Sequence, residues 1–204
     1  VGGELLITVN AGTGTAQMAA DWVRYANRNG LKVRYWEIGN ELYGVGGPMF
    51  DPITLTPQRY AQKVMEFSRA MKAADPRIKV GAIACESFLT MGCLTYPSWT
   101  ETVLSMAGND IDYLAVHNAY APGVGNDITS RTGDVYAAML AAPQAIRRSL
   151  AALEQKVAVY APARAGQIKI AVTEWGPYFS TTGASRFVEH NKTMASAVYA
   201  AWTM

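Results

Sequence analysis

The stretch Val33–Gly44, VRYWEIGNELYG, begins as a buried strand and ends on Asn40 and Glu41. Val33, Tyr35, Trp36 and Ile38 suit a pleated, covered surface. A strand that merely stops ends in Gly, Ser or Asp; this one ends in two polar side chains that are costly to bury. Its reading as a buried strand with a polar exit decides the fold, because the same pattern recurs along the chain.

Short apolar runs alternate with segments of helical period. ELLITVN (4–10), LKVRYWEIGN (31–40), IKVGAIAC (78–85), IDYLAVHN (111–118) and QIKIAVTEWG (167–176) read as strands. Between the first two lies TAQMAADWVRYANRNG (15–30), with Thr15 as N-cap, Met18, Trp22 and Ala26 on one stripe and Gly30 as C-cap. TPQRYAQKVMEFSRAMKAADP (56–76) has Thr56 as cap, Pro57 at the first helical position, and Tyr60, Val64, Phe67 and Met71 at helical spacing. SWTETVLSMAG (98–108) reads as a short helix and RFVEHNKTMASAVYAAWTM (186–204) as another. GDVYAAMLAAPQAIRRSLAALEQKVAVYA (133–161) is a long helix that Pro143 is expected to break or kink.

Five strand–helix units in strict alternation imply parallel strands covered by helices. A doubly wound sheet and a closed eight-stranded barrel both fit that alternation. NAGTGTA (10–16) has Gly-x-Gly but lacks the third Gly and the acidic partner of a dinucleotide site, so it reads as a tight turn into a capped helix.

The 204 residues are half hydrophobic and 17% charged, with a formal net charge of +2. That composition fits one globular domain, and scattered Lys and Arg give no footprint for nucleic acid or an anionic membrane. No run approaches the roughly 20 apolar residues of a membrane span. Two cysteines, Cys85 and Cys93, are too few for a disulfide scaffold or a structural zinc site, and whether they pair stays open. No His or carboxylate pair has metal-ligand spacing, and no cofactor is expected. Compartment and oligomeric state are not legible.

In parallel strand–helix folds, reactive groups sit just past the carboxyl ends of the strands. The five exits are Asn10; Asn40-Glu41; Cys85-Glu86-Ser87; His117-Asn118-Ala119-Tyr120; and Glu174-Trp175. The opposite strand ends begin with ordinary Leu, Ile, Asp or Lys. Glu41 and Glu174 stand out because each ends an otherwise apolar strand. Two carboxyls across a cleft are the minimal apparatus of glycosidic cleavage, one donating a proton to the leaving oxygen and the other acting at the anomeric carbon.

YWEIGNE (35–41) resembles the acid/base motif of the clan A glycoside hydrolases, and AVTEWG (171–176) is similar to their nucleophile motif. Within the clan, VNAGTGTAQMAADWVRYAN (9–27) with VRYWEIGNELYG most resembles the family 51 α-L-arabinofuranosidases; IDYLAVHNAY (111–120) is similar to that family's sixth strand. The resemblance implies a (β/α)8 TIM barrel of which residues 1–204 form a single, incomplete part: about five βα units, strands three to seven, without the first two and the last. A chain of 204 residues is shorter than the roughly 250 of a typical barrel. It is therefore expected to be a piece of a longer enzyme, with two unpaired edges that would make it poorly stable alone.

The resemblance further implies that Glu41 is general acid then base and Glu174 the nucleophile of a retaining double displacement. Asn40 is expected to bond the sugar 2-hydroxyl. Tyr120, or His117, would hold Glu174 ionised, and Trp175 would stack on the sugar. Trp36 is the weaker candidate for that wall and is expected to pack outward. Glu37, inside the strand, is read as structural: it could point into the barrel and perturb its neighbours but lies too deep to reach substrate. Glu86 could line the cleft but is read as structural, and His190 as surface. The expected activity is release of terminal α-L-arabinofuranosyl residues from plant polysaccharide. The rivals are an endo-glucanase or xylanase of the same clan and a non-catalytic carbohydrate-binding barrel.

Overall fold

The computed structural model describes residues 3–44, 53–85, 95–117, 119–120, 132–176 and 194–203. Glu86, Cys93 and His190 lie outside them. Strand β1 (Leu5–Val9) is followed by helix α1 (Ala16–Arg28), β2 (Val33–Ile38), α2 (Pro57–Ala74), β3 (Lys79–Ile83) and α3 (Trp99–Ala107). Then come β4 (Tyr113–Val116), the short β5 (Ala119–Tyr120), α4 (Thr132–Tyr160), β6 (Lys169–Val172), the short β7 (Trp175–Gly176) and α5 (Met194–Thr203).

The main sheet has the order β1-β2-β3-β4-β6, all parallel, and β5 pairs with β7. A doubly wound sheet reverses direction at a switch point. Here each strand is added beside its predecessor, so the sheet is an arc of a (β/α)8 barrel, with β1 and β6 at its edges.

Local chemistry explains the helices. The Thr15 hydroxyl accepts from Met18 N (3.2 Å), and that of Thr56 from Arg59 N (3.3 Å), so both expected N-caps form. Asn29 is the C-cap of α1, and Gly30 follows with φ +68. The Tyr60, Val64, Phe67 and Met71 stripe of α2 is fully buried against Trp36, Val80, Ala82, Trp99 and Leu114. Tyr60 stacks on Trp99 with ring centroids 5.0 Å apart. Trp36 is therefore helix-facing core, with no part in a sugar wall.

Two expectations need correction. Met18 and Trp22 are 55% and 57% exposed, and α1 instead buries Ala16, Ala19, Ala20, Val23 and Ala26. Small side chains let α1 approach its neighbours closely, while Met18 and Trp22 border a cleft beside the open edge of β1. The second correction concerns Pro143, which does not break its helix: α4 runs from Thr132 through it to Tyr160, held by buried Met139, Ala142, Ile146 and Leu153 on either side. Packing of a long apolar stripe outweighs the loss of one backbone hydrogen bond.

The amino-terminal end of the sheet is a salt-bridged floor. Asp112 accepts from Val80 N (3.0 Å) and pairs with Lys72 (2.8 Å) and Lys79 (3.3 Å). Cys85 is buried and disulfide-bonded. Among the described residues, no helix is long and apolar enough to cross a membrane.

Candidate active site

The chain leaves β2 through a sharp turn. Gly39 has φ +76, and a β-carbon there would lie 2.6 Å from Leu42 Cδ1, so a side chain would be strained and would displace Leu42. Two residues on, Glu41 has φ 47, the one positive φ outside glycine among the described residues. Such a conformation costs a residue with a β-carbon on the order of 1 kcal/mol. It is imposed by Leu42 and Tyr43, both buried, and by hydrogen bonds from Gly39 N to Val9 O (2.9 Å) and Gly44 N to Glu41 O (2.7 Å). With its neighbours pinned in the core, Glu41 projects over the strand ends. Strain of this kind gathers at functional positions.

His117 follows β4 directly. Its side chain is 2% exposed, against 27% for Glu41 and 41% for Glu174. His117 Nδ1–H donates to Glu41 Oε1 at 2.9 Å, while Nε2 faces Glu174 Oε1 at 3.6 Å. The expected partner of His117 was Glu174; the hydrogen bond goes to Glu41, with Glu174 at ion-pair distance. Burial opposes a charge on the imidazole. The hydrogen bond to Glu41 and the charges of Glu174, Glu41 and Glu37 outweigh it, and His117 titrates above its ordinary value.

One oxygen each of Glu41 and Glu174 and one nitrogen of His117 lie within 4.8 Å of one another. No metal-ligand spacing in the sequence marks this cluster, although all three are strand-exit residues. Three such donors are the raw material of a metal site, but the carboxyls face different nitrogens of one ring. An ion bound to both carboxyls could take only one of those nitrogens. The arrangement suits sharing of protons between the two carboxyls.

The other expected residues are placed less tightly. Trp175 is 46% exposed on β7, where it pairs with Ala119. The Tyr120 backbone pairs with Gly176, but its side chain lies outside what the structure describes. Asn40 is exposed and lines a surface cleft with Asn10, Gly12, Leu42 and Ile53. Asn10 folds back on its own turn, accepting from Thr13 N (3.0 Å) and donating to Thr13 Oγ1 (2.8 Å).

An arc of parallel βα units is the architecture of the barrel glycoside hydrolases, and a family match places the chain among them. The model of the glycosyl hydrolase family 79 N-terminal domain matches residues 5–173, and the chain belongs to that family. It is 30% identical over 139 residues to an intracellular exo-α-(1→5)-L-arabinofuranosidase of Acetivibrio thermocellus, covering 59% of this chain and 26% of that one. An α-L-arabinofuranosidase structure from Thermotoga maritima superimposes with a TM-score of 0.74 and 24% identity, over 97% of this chain and 39% of that one. A family 51 α-L-arabinofuranosidase from Thermotoga petrophila gives 0.71 and 25%, over 98% of this chain and 40% of that one. The chain is thus a clan A, family-51-like portion of a TIM barrel, spanning about a quarter of the curated relative and about 40% of the solved enzymes.

Proposed function

We propose that the protein is a retaining glycosidase that releases terminal α-L-arabinofuranosyl residues from plant polysaccharide. The observation that carries this reading is the approach of Glu41 and Glu174, whose nearest oxygens are no more than 4.8 Å apart. Inverting enzymes hold their carboxyls about 6.5–9.5 Å apart to admit a water, whereas retaining ones need about 5–5.5 Å.

In the first step the Glu174 carboxylate attacks the anomeric carbon as the glycosidic C–O bond breaks. Glu41 delivers its proton to the departing oxygen, leaving a glycosyl ester on Glu174. In the second step water attacks that carbon, Glu41 takes its proton, and Glu174 departs as a carboxylate. His117 lies between them, one ring nitrogen facing each carboxyl. Asn40 contacts the 2-hydroxyl, Tyr120 supports Glu174, and Trp175 offers an aromatic face to the sugar.

Glu174→Ala in the full-length protein tests the assignment. Turnover of an aryl arabinofuranoside should fall on the order of 10⁴-fold or more, with azide restoring it in part; near-parental turnover would overturn the assignment. The family 79 match favours a second reading, a clan A glycosidase that takes a different sugar. Comparing aryl arabinofuranoside with aryl xyloside and cellooligosaccharide separates the two.

A further inference from the structure

Glu37 lies on β2, four residues before Glu41, and is 2% exposed. Trp36 and Ile38 enter the helix-facing core, so the pleat turns Tyr35 and Glu37 to the inner face of the barrel. In register, Glu37 stands beside Thr8 of β1 and Gly81 of β3. Gly81 leaves its space to the Tyr113 ring: a β-carbon there would sit 2.1 Å from Tyr113 Cε2. Glu37 Oε1 and Tyr113 Oη are both buried without a hydrogen-bond partner among the described residues.

A structural carboxyl at such depth is normally paired, because an orphaned buried oxygen forfeits its hydration. Several titratable groups act on this one electrostatically: Tyr113 and His117 from β4 and its exit, Glu174 from the exit of β6, and, from the helix side of the sheet, Tyr60 of α2. Glu41 joins through His117. β1 and β3 present Thr8 and Gly81, which do not titrate.

We infer that Glu37 is a positioning residue for the hydrolysis proposed above: acting through His117 and Glu174 from deeper in the barrel, it sets how far into alkali the Glu41–His117 pair keeps its proton. The inference rests on the reading of Glu41 and Glu174 under Proposed function. Burial pushes Glu37 up to about 7, with His117 opposing the rise, Glu174 adding to it and the Thr173 hydroxyl opposing it. Glu37 is thus neutral in acid and becomes charged around neutrality. In a coupled cluster, one more negative charge strengthens the hold on every remaining proton. Above neutrality, ionised Glu37 therefore extends the alkaline limb of activity.

Glu37→Gln copies the neutral acid and cannot ionise. In the full-length protein at about pH 5.5 its kcat/KM should stay within roughly two-fold of the parent. Its alkaline limb should move to lower pH by about half a unit, a roughly three-fold loss on that limb. The His117 resonance, followed by NMR of ¹³C-labelled histidine and assigned by its loss in His117→Gln, should titrate lower by a similar amount. Superimposable alkaline limbs and His117 midpoints would overturn the inference, as would an equal loss at every pH. Should E37Q not fold, the parent's His117 resonance must show a second inflection near Glu37's own midpoint, and a single inflection overturns the idea. If the parent cleaves no glycoside, the proposed activity falls, while the His117 titration still decides whether Glu37 governs the cluster.

Discussion

Glu41 and His117, 76 residues apart in the chain, meet through a 2.9 Å hydrogen bond. That one contact ties the exit of β2 to the exit of β4, passing over β3, and turns His117 Nε2 toward Glu174. A buried imidazole held from both sides has little freedom to rotate, so it fixes the two carboxyls relative to each other. Removing it in His117→Ala should lower kcat/KM for an aryl arabinofuranoside about 10²-fold. A loss under about three-fold would show that the carboxyls are positioned without it.

Stability should fall as pH rises from weak acid toward alkali. Glu37 binds its proton more tightly folded, at about 7, than at the ordinary 4.5, so its burial adds no pH-dependent cost below that lower value and progressively more up to about 7. The full loss is about 3 kcal/mol. His117 adds to the trend: its raised value gives stability that is complete below its unfolded value and lost as pH climbs through the folded one. Asp75 acts oppositely. Hydrogen bonds from the Arg77 side chain and backbone, and from Asn27, hold it well below the usual carboxylate range, so its contribution is lost in strong acid. Urea unfolding should therefore give a maximum in weak acid, and Glu37→Gln should flatten the decline toward alkali. A parent equally stable on both sides of neutrality would contradict this.

Gly81→Ala should be damaging although β3 is otherwise apolar. The new methyl would overlap the Tyr113 ring, whose edge also meets Tyr35 at a centroid distance of 6.3 Å. Overpacking of this kind costs about 1–3 kcal/mol. Pairing it with Tyr113→Ala should cost less than the sum of the single changes, because the second removes the clash created by the first. Strict additivity in denaturant melts would show that the two positions do not compete for space.

Tyr60→Phe should weaken the platform beneath Glu41. The hydroxyl donates to Ile38 O (2.7 Å) and accepts from Ile83 N (2.8 Å), linking the ends of β2 and β3 where the Glu41 turn begins. Phe would strand both backbone groups in a fully buried setting, a loss of about 2 kcal/mol. If the chemical-denaturation midpoint does not move, the two backbone groups find other partners.

Much of the arc is legible because its signals are local. Thr15 and Thr56 cap helices by bonding amides three residues on, and Tyr60 to Met71 form a stripe because α2 repeats every 3.6 residues. The strands are each a few residues shorter than their apolar runs, since pairing stops where the chain turns into loops. Which face of α1 is buried was not legible: Met18 and Trp22 are the larger apolar residues, yet close approach of elements favours its alanines. Glu37 is legible only in part. Its alternation with Trp36 and Ile38 marks it as inward-facing, but only the neighbouring strands show that its oxygen is orphaned beside His117 and Glu174.

From its residues alone the chain declared parallel strand–helix units, the caps of its first two helices, and two glutamates at strand exits, since each depends on neighbours a few positions away. The motif resemblance implied the barrel and two neighbouring carboxyls; tertiary structure decided that the strands add in one direction as its arc, and that a nitrogen of His117 joins the oxygens of Glu41 and Glu174 within 4.8 Å. It also decided that the histidine bonds to Glu41 first. The physical reason is that strand order and side-chain convergence are settled by packing among segments distant along the chain, and no local pattern carries those energies.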